Sequence, residues 1–361
     1  MQSEMQESMA EVRRHTIALI PGDGIGKDVI GAALPVLQAA GERYGFRLDT
    51  TSFPWGSEYY AAEGRMMPPD GIAQLRPFDA IFLGAIGYPS IVPDHVSLHD
   101  LLLKIRRDFQ QFINLRPHRV LAGVESPLRS AQLDLLVIRE NSEGEYVGAG
   151  GRAHVGTDDE VAVETAIFTR RGCERVMRFA FEEARKRSGR LAAATKSNAQ
   201  RHSMVFWDEV LARVAADYPD VQTNKYHIDA LCARFITHPQ TLDVVVASNL
   251  FGDILTDIGA ALQGGLGFAA SGNIDPTRTY PSMFEPVHGS APDIAGQGIA
   301  NPSATIWAGA LMLEFLGERE AAAAVMRALE SVTGAGQART PDMGGSGTTE
   351  EMADAVARAV S

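Results

Sequence analysis

The chain has 361 residues, 45% of them hydrophobic and 22% charged, the balance of a globular protein long enough for two lobes. A formal net charge of −12 argues against a general nucleic-acid binder, although arginines and backbone amides still offer local anion sites. No run of about 18 apolar residues occurs, so no membrane span is expected.

The opening MQSEMQESMAEVRRH is polar and has no apolar core of a secretory signal, which makes residues 1–14 a flexible extension and the cytoplasm the default location. HTIALI (15–20) reads as a strand, followed by the glycine-rich turn PGDGIG and a helix. DAIFLGAIG (79–87) repeats the theme. SLHDLLLKIRRDFQQFINLRP (97–117) reads as a helix leading into an extended segment that stops at Pro117. LDLLVIREN (133–141), LAAATKSN (191–198) and LDVVVASN (242–249) are further apolar strands ending in polar residues. Segment 149–171 is glycine-punctuated and then alternates as VAVETAIF, the pattern of a hairpin or protruding arm. CERVMRFAFEEARKRSG has helical periodicity and a terminal glycine, and TEEMADAVARAV reads as a last helix. Strands alternating with helices predict an α/β fold with a substantially parallel sheet, whose ligands sit beyond the carboxyl ends of the strands. Cys173 and Cys232 lie in no metal or redox spacing and read as free thiols of a reducing compartment.

Several polar residues stand at such strand ends. In SNLFGDILTD, a helix would place Asp253 and Asp257 one turn apart on one face. They suit either a solvated face or an oxygen-ligated Mg²⁺ or Mn²⁺, and Asp229 would be a third ligand if it came close. Arg106, Arg116 and Arg139 could fork carboxylates, with His99, Leu102 and Leu103 on the same helix face as Arg106. Tyr146 and Lys196 suit a proton donor and a base, or a packing tyrosine and a paired lysine. PGDGIG lacks the spacing of the Rossmann fingerprint. The long polar loop EPVHGSAPDIAGQGIANP (285–302) has the length of a binding loop.

Taken in order, GDGIG, IRRDFQQFINLRP, IRENSEGEY, ATKSN, HIDALCARF, SNLFGDILTD, EPVHGSAPDIAG and ANP resemble the β-decarboxylating dehydrogenases, the isocitrate/isopropylmalate dehydrogenase family. RENSEGEY, IFTRRG, HIDALCARF and TPDMGG look most like its tartrate/D-malate branch. The resemblance covers nearly the whole chain from about residue 15. It implies two α/β domains sharing a large twisted mixed sheet, not a Rossmann fold: a large domain of residues 15–111 and 264–361, and a small domain of 112–263 with a dimer arm at 149–171. It implies NAD and Mn²⁺ or Mg²⁺ as cofactors, with K⁺ a further candidate, and an obligate homodimer with shared active sites.

By position, the resemblance gives Arg106, Arg116 and Arg139 the substrate carboxylates and His99, Leu102 and Leu103 the variable substrate group. Asp229, Asp253 and Asp257 would hold the metal. Tyr146, Lys196 and Asp229 would be catalytic, with Lys196 and Asp229 coming from the second subunit. His288, Gly289, Ser290, Ala291, Asp293, Ile294 and Asn301 would bind NAD, Asp293 through ribose hydroxyls. The implied activity is oxidative decarboxylation of a malate-type 2-hydroxydiacid, D-malate or tartrate. 3-Isopropylmalate or another 3-substituted malate is the alternative, because Leu102 and Leu103 suit an isopropyl group. A non-catalytic subunit of the family would lack acid/base or metal residues that this chain keeps.

Overall fold

The structure, a computed structural model, describes residues 12–129 and 133–361, so most of the expected extension, residues 1–11, lies outside the described residues. Twelve strands form among them: β1 (Arg13–Gly22), β2 (Phe46–Ser52), β3 (Ala80–Ala85), β4 (Ile113–Arg119), β5 (Asp134–Glu140), β6 (Gly144–Ala153), β7 (Val161–Ile167), β8 (Arg190–Thr195), β9 (Gln222–His227), β10 (Val244–Ala247), β11 (Ala270–Ile274) and β12 (Ser282–Pro286). β1 opens at Arg13, two residues before the expected start, where the Arg13 guanidinium donates to Glu318 at 2.8 Å and to the Tyr44 carbonyl at 2.8 Å.

Ten strands make one sheet in the order β2-β1-β3-β12-β11-β4-β5-β10-β8-β9. The outer groups, β2-β1-β3-β12 and β5-β10-β8-β9, are parallel as the strand–helix alternation predicts. The central steps β12–β11, β11–β4 and β4–β5 are antiparallel, so the two groups run in opposite senses. The sheet is therefore mixed, as the family resemblance implies. The short link between β11 and β12 explains one reversal, since a parallel pair needs a long crossover. β4 also runs through Pro117 to Arg119, past the expected stop. Pro117 pairs with Leu136 of β5 but lies beyond β11, which reaches only Ile113 to Leu115, so its missing N–H interrupts no bond on that side.

Each parallel group has its own core. Val137, Ile138, Ala193 and Val245 pack with Val176, Phe181, Trp207 and Leu211 from two helices. Ile17, Phe82 and Phe284 pack with Ile30, Trp307, Leu329 and Val356. The helix Arg170–Lys186 shows how sequence sets this packing. Its buried Cys173, Val176, Met177, Ala180, Phe181 and Ala184 recur at helical spacing, and the Thr169 hydroxyl accepts from Gly172 N at 3.0 Å as its N-cap. Cys173 is buried there and Cys232 half-buried, both free.

β6 and β7 form a separate antiparallel hairpin, and β7 is exposed along its whole length. No helix among the described residues is long and apolar enough to cross a membrane.

Candidate active site

The helix Asn249–Leu262 starts where β10 ends and carries Asp253 and Asp257. Three side chains from other elements converge on Asp253. Arg139, near the end of β5, donates from Nη1 at 2.5 Å, and Arg116, in the middle of β4, stands at 3.4 Å. The Tyr146 hydroxyl, from β6, donates to the other carboxylate oxygen at 2.8 Å. Arg116 also donates to Thr256 Oγ1 at 2.5 Å, and Arg139 is fixed by Asn249 Oδ1 at 2.8 Å. Arg106 donates to Glu285 at 2.8 Å. All three arginines are at most 5% exposed. Among the described residues the three guanidiniums form ion pairs only with Asp253 and Glu285, so the cluster keeps an excess of positive charge for an incoming anion.

The electrostatics follow from this crowding. Burial would raise the Asp253 carboxyl, but Arg139, Arg116 and the Tyr146 hydroxyl together hold it below its ordinary value. Asp257 is raised, first by partial burial and then by the like charge of Asp253. Burial, and then the Asp253 carboxylate, push the Tyr146 phenol up to about 12, so it keeps its proton near neutrality. Burial lowers Arg116 and Arg139, and repulsion adds to it, from Arg106 at Arg116 and from Arg116 and Arg106 at Arg139. Two adjacent carboxylates, one raised by the other, are a hard-oxygen donor set that fits a divalent Mg²⁺ or Mn²⁺.

Lys196 and Asp229 stand elsewhere. Lys196 follows β8, Asp229 begins the next helix after β9, and they pair at 2.5 Å. This pair is more open than the arginine cluster, with Asp229 69% exposed at its side chain. Its lysine holds the Asp229 carboxyl below its ordinary value. Among the described residues no three metal-ligating side chains of the chain come together, so Asp229 does not complete an Asp253–Asp257 site within one copy.

A cleft of about 310 Å³ joins the arginines to the cofactor-loop candidates. Its lining includes Leu102, Leu103, Arg106, Arg116, Arg139, Tyr146 and Asp253, and at the other end His288 and Gly289. His99 is not in that lining. Residues Leu98–Leu102 form a π-helical segment, which rotates the following residues relative to α-helical counting. Leu98 takes the cleft position, and exposed His99 instead approaches Gly148 of β6, with Cε1 3.7 Å from where a Cβ there would stand.

The sequence reading passed over a buried polar seam beneath the cleft. Asn114 Nδ2 and Asn141 Nδ2 both donate to Asn273 Oδ1 at 3.0 Å, and Asn273 Nδ2 donates to Glu285 at 2.7 Å, which in turn receives Arg106. Polar residues inside apolar strand segments, as in FINLRP and SGNID, were the available signal.

The two glycine-rich loops pack on each other. Ile25 N donates to Ser290 O at 2.8 Å, and a Cβ on Gly24 would come within 2.0 Å of that carbonyl oxygen. Ser290 Oγ donates to the Gly87 carbonyl. Asp23 accepts from Ser57 N and Ser57 Oγ at 2.7 Å and from Gly87 N at 2.8 Å, so PGDGIG braces strand ends rather than cradling phosphate. Among the described residues His288 Nε2 is buried without a partner and Gly289 faces open space, and Ala291 holds a left-handed φ of 38°. The Asp293 side chain is exposed and takes no partner among the described residues. These features fit a dinucleotide. Two of the expected contacts are occupied from within. Asn301 donates to Asp342 at 2.9 Å and accepts from Ser303 N at 2.9 Å, anchoring the loop. Ile294 packs with Ile25, Val29 and Ala300 beneath it.

An arginine cluster against paired aspartates, at the seam of a mixed α/β sheet, is the arrangement of an anion-handling, metal-assisted enzyme. The chain belongs to the isocitrate/isopropylmalate dehydrogenase family, whose sequence profile matches residues 16–356. It is 55% identical over 347 residues to a probable tartrate dehydrogenase/decarboxylase of Bacillus subtilis, covering 96% of this chain and 98% of that one. It is 52% identical over 354 residues to the decarboxylating D-malate dehydrogenase of Escherichia coli, covering 95% and 98%. The crystal structure of isocitrate dehydrogenase from Methylococcus capsulatus superposes with a TM-score of 0.87 at 35% identity, over 96% of this chain and 99% of that one.

Proposed function

We propose that this protein is an NAD-dependent dehydrogenase that oxidatively decarboxylates a malate-type 2-hydroxydiacid of the D-malate/tartrate class. The observation that carries the reading is the convergence of Arg106, Arg116 and Arg139 beside Asp253, Asp257 and Tyr146. The names of the relatives at over 50% identity support the substrate class.

In this reading Arg106, Arg116 and Arg139 orient the two substrate carboxylates, because a planar guanidinium donates two parallel hydrogen bonds to each. Asp253 and Asp257, with the partner subunit's Asp229, would hold Mg²⁺ or Mn²⁺, which when bound polarises the substrate hydroxyl and the forming ketone. NAD on the 288–301 loop would accept the hydride. The partner subunit's Lys196, through its contact with Asp229, takes the hydroxyl proton. After carbon dioxide departs with cleavage of the C3–carboxylate bond, Tyr146 delivers its proton to C3 of the enolate.

The homodimer belongs to the same proposal. Lys196 and Asp229 stand apart from the arginine cluster, and a second copy can bring them to it. The hairpin exposes Val155, Val161, Val163 and Ile167, and the two helices bearing Asp229 and Asp253 expose Ile236 and Ile254. Large apolar side chains left exposed on these elements suit a partner surface. We divide the chain into a large domain, 15–111 with 264–361, and a small one, 112–263, with the hairpin as dimer arm.

The test is NADH formation by purified protein with NAD and Mn²⁺ on D-malate, both tartrate isomers, 3-isopropylmalate and isocitrate. Preference for the small diacids is expected. Turnover of 3-isopropylmalate alone would mean that Leu98, Leu102 and Leu103 set the specificity, and would overturn the substrate class.

A further inference from the structure

We propose that Asp94 and Ser97 form a hydroxyl-reading pair in the wall of the active-site cleft. This rests on the dehydrogenase reading and adds a specificity element to it.

Three carboxylates line the cleft: Asp94, Asp253 and Glu285. Two are committed, Asp253 to Arg139 and Glu285 to Arg106. The Asp94 carboxylate has no hydrogen bond or ion pair among the described residues; its main-chain oxygen accepts from Leu98 N and, at 2.9 Å, from Ser97 Oγ. That bond consumes the Ser97 proton. The lone pairs of the buried Ser97 oxygen remain, so the pair offers acceptors and no donor.

The two side chains flank a bare patch of backbone. A Cβ built on Gly87 would lie 3.9 Å from Asp94 Oδ1 and 3.9 Å from Ser97 Oγ, with no other described residue beyond its chain neighbours Ile86 and Tyr88 within 4 Å. Gly87 has a φ of 117°, which a residue with a side chain rarely adopts, so the space between the acceptors stays open. Its own N–H and carbonyl are bonded to Asp23 and Ser290 and do not compete for a ligand.

Acceptors without donors select what can enter. A further carboxylate or a phosphate meets the Asp94 charge. An alkyl group strips water from that charge and returns nothing. A hydroxyl donates to either oxygen. Two hydroxyl sources reach such a cleft: the C3 hydroxyl that distinguishes tartrate from malate, and the ribose hydroxyls of the dinucleotide.

Asp94→Leu and Ser97→Ala, in the full-length protein, separate these sources. The wild-type protein must first turn over D-malate or tartrate, which tests the underlying reading independently. Losing a hydrogen bond to a charged acceptor is worth roughly ten- to a hundredfold. If the hydroxyl is the substrate's, Asp94→Leu lowers kcat/KM for tartrate at least about tenfold relative to D-malate and leaves the KM for NAD in place. If it is the ribose's, the KM for NAD rises by a similar factor with every substrate and the tartrate-to-malate ratio holds. Ser97→Ala must shift the same quantity as Asp94→Leu, by less. A change in neither quantity, or the two variants moving different ones, in proteins whose melting temperatures match the wild type, overturns the proposal.

Discussion

Gly252 is moulded to Arg139: a Cβ on this helical glycine would stand 2.6 Å from Arg139 Cγ and 2.7 Å from its Cβ. The glycine therefore lets the helix that carries Asp253 close onto the stem of the arginine that pairs with it. Alanine at 252 would gain helix propensity, about 1 kcal/mol, yet push the guanidinium off its carboxylate. Gly252→Ala is expected to fold and to lose roughly ten- to a hundredfold in kcat/KM through misplacement of the arginine. Steady-state kinetics beside a melting curve checks this, and unchanged kinetics would remove Arg139 from substrate binding.

The separation of Lys196–Asp229 from Arg139–Asp253 makes a shared site testable by mixing. Lys196→Met and Asp253→Asn should each be inactive. Refolded or co-expressed together, they form hybrid dimers in which one site receives an intact lysine and an intact aspartate. Activity should reappear in the mixture. If it stays at the level of the separate variants, the site is not shared.

Asp257 takes no side-chain partner among the described residues, so Asp257→Asn isolates cation binding from the arginine pairing that Asp253→Asn would also break. The expected result is a Mn²⁺ dissociation constant raised at least about tenfold, measured directly by titration without turnover. Equal Mn²⁺ binding would argue against its ligand role.

Asp293 presents at the loop surface a carboxylate without a partner among the described residues. It suits ribose hydroxyls and opposes a 2′-phosphate. Asp293→Lys should move the NADP-to-NAD ratio of kcat/KM upward by about tenfold or more. A static ratio would detach Asp293 from the cofactor.

His118 gives a stability prediction. It lies fully buried on β4, two residues from Arg116, and burial and then that guanidinium push it down from 6.5 to about 3. The folded protein keeps it neutral, while the unfolded chain binds a proton below 6.5. Its contribution is fully present above that value and is lost as pH falls toward about 3, at about 1.4 kcal/mol per pH unit. His118→Phe, which does not titrate, should flatten the acid side of the stability curve by about one proton, as read by denaturant unfolding at several pH values. An unchanged slope would mean that other groups carry the acid sensitivity.

Residues whose chemistry stands at the end of an apolar run were legible in the sequence. Arg139 is the penultimate residue of β5, Lys196 directly follows β8 and Asp253 stands one turn into the helix after β10, and the buried strand betrays each position. The side of the cleft facing His99 was not legible. The π-helical segment Leu98–Leu102 breaks the period on which face counting depends, which moved Leu98 into the cleft and His99 out of it. The Asn114–Asn273–Glu285 seam was hidden for another reason. Its partners are adjacent only because β4, β11 and β12 pair antiparallel, and pairing between distant strands leaves no local pattern. The partners of Asn301 were hidden for the same reason: Asp342, which receives its amide, lies some forty residues on.

The opposed strand groups also differ in how much of the chain each one needs. The group β5-β10-β8-β9 comes from one continuous stretch of chain, so it can condense as soon as that stretch exists. The other group needs β12 beside β3, and its loops meet across contacts such as Ser290 to Gly87, 203 residues apart in sequence. Loop closure over such distances is slow. The Arg106–Glu285 bond spans a similar distance, with 179 residues between its partners. The cleft thus joins parts of the chain far apart in sequence, and it is complete only when β11 and β12 have joined β4 and β3.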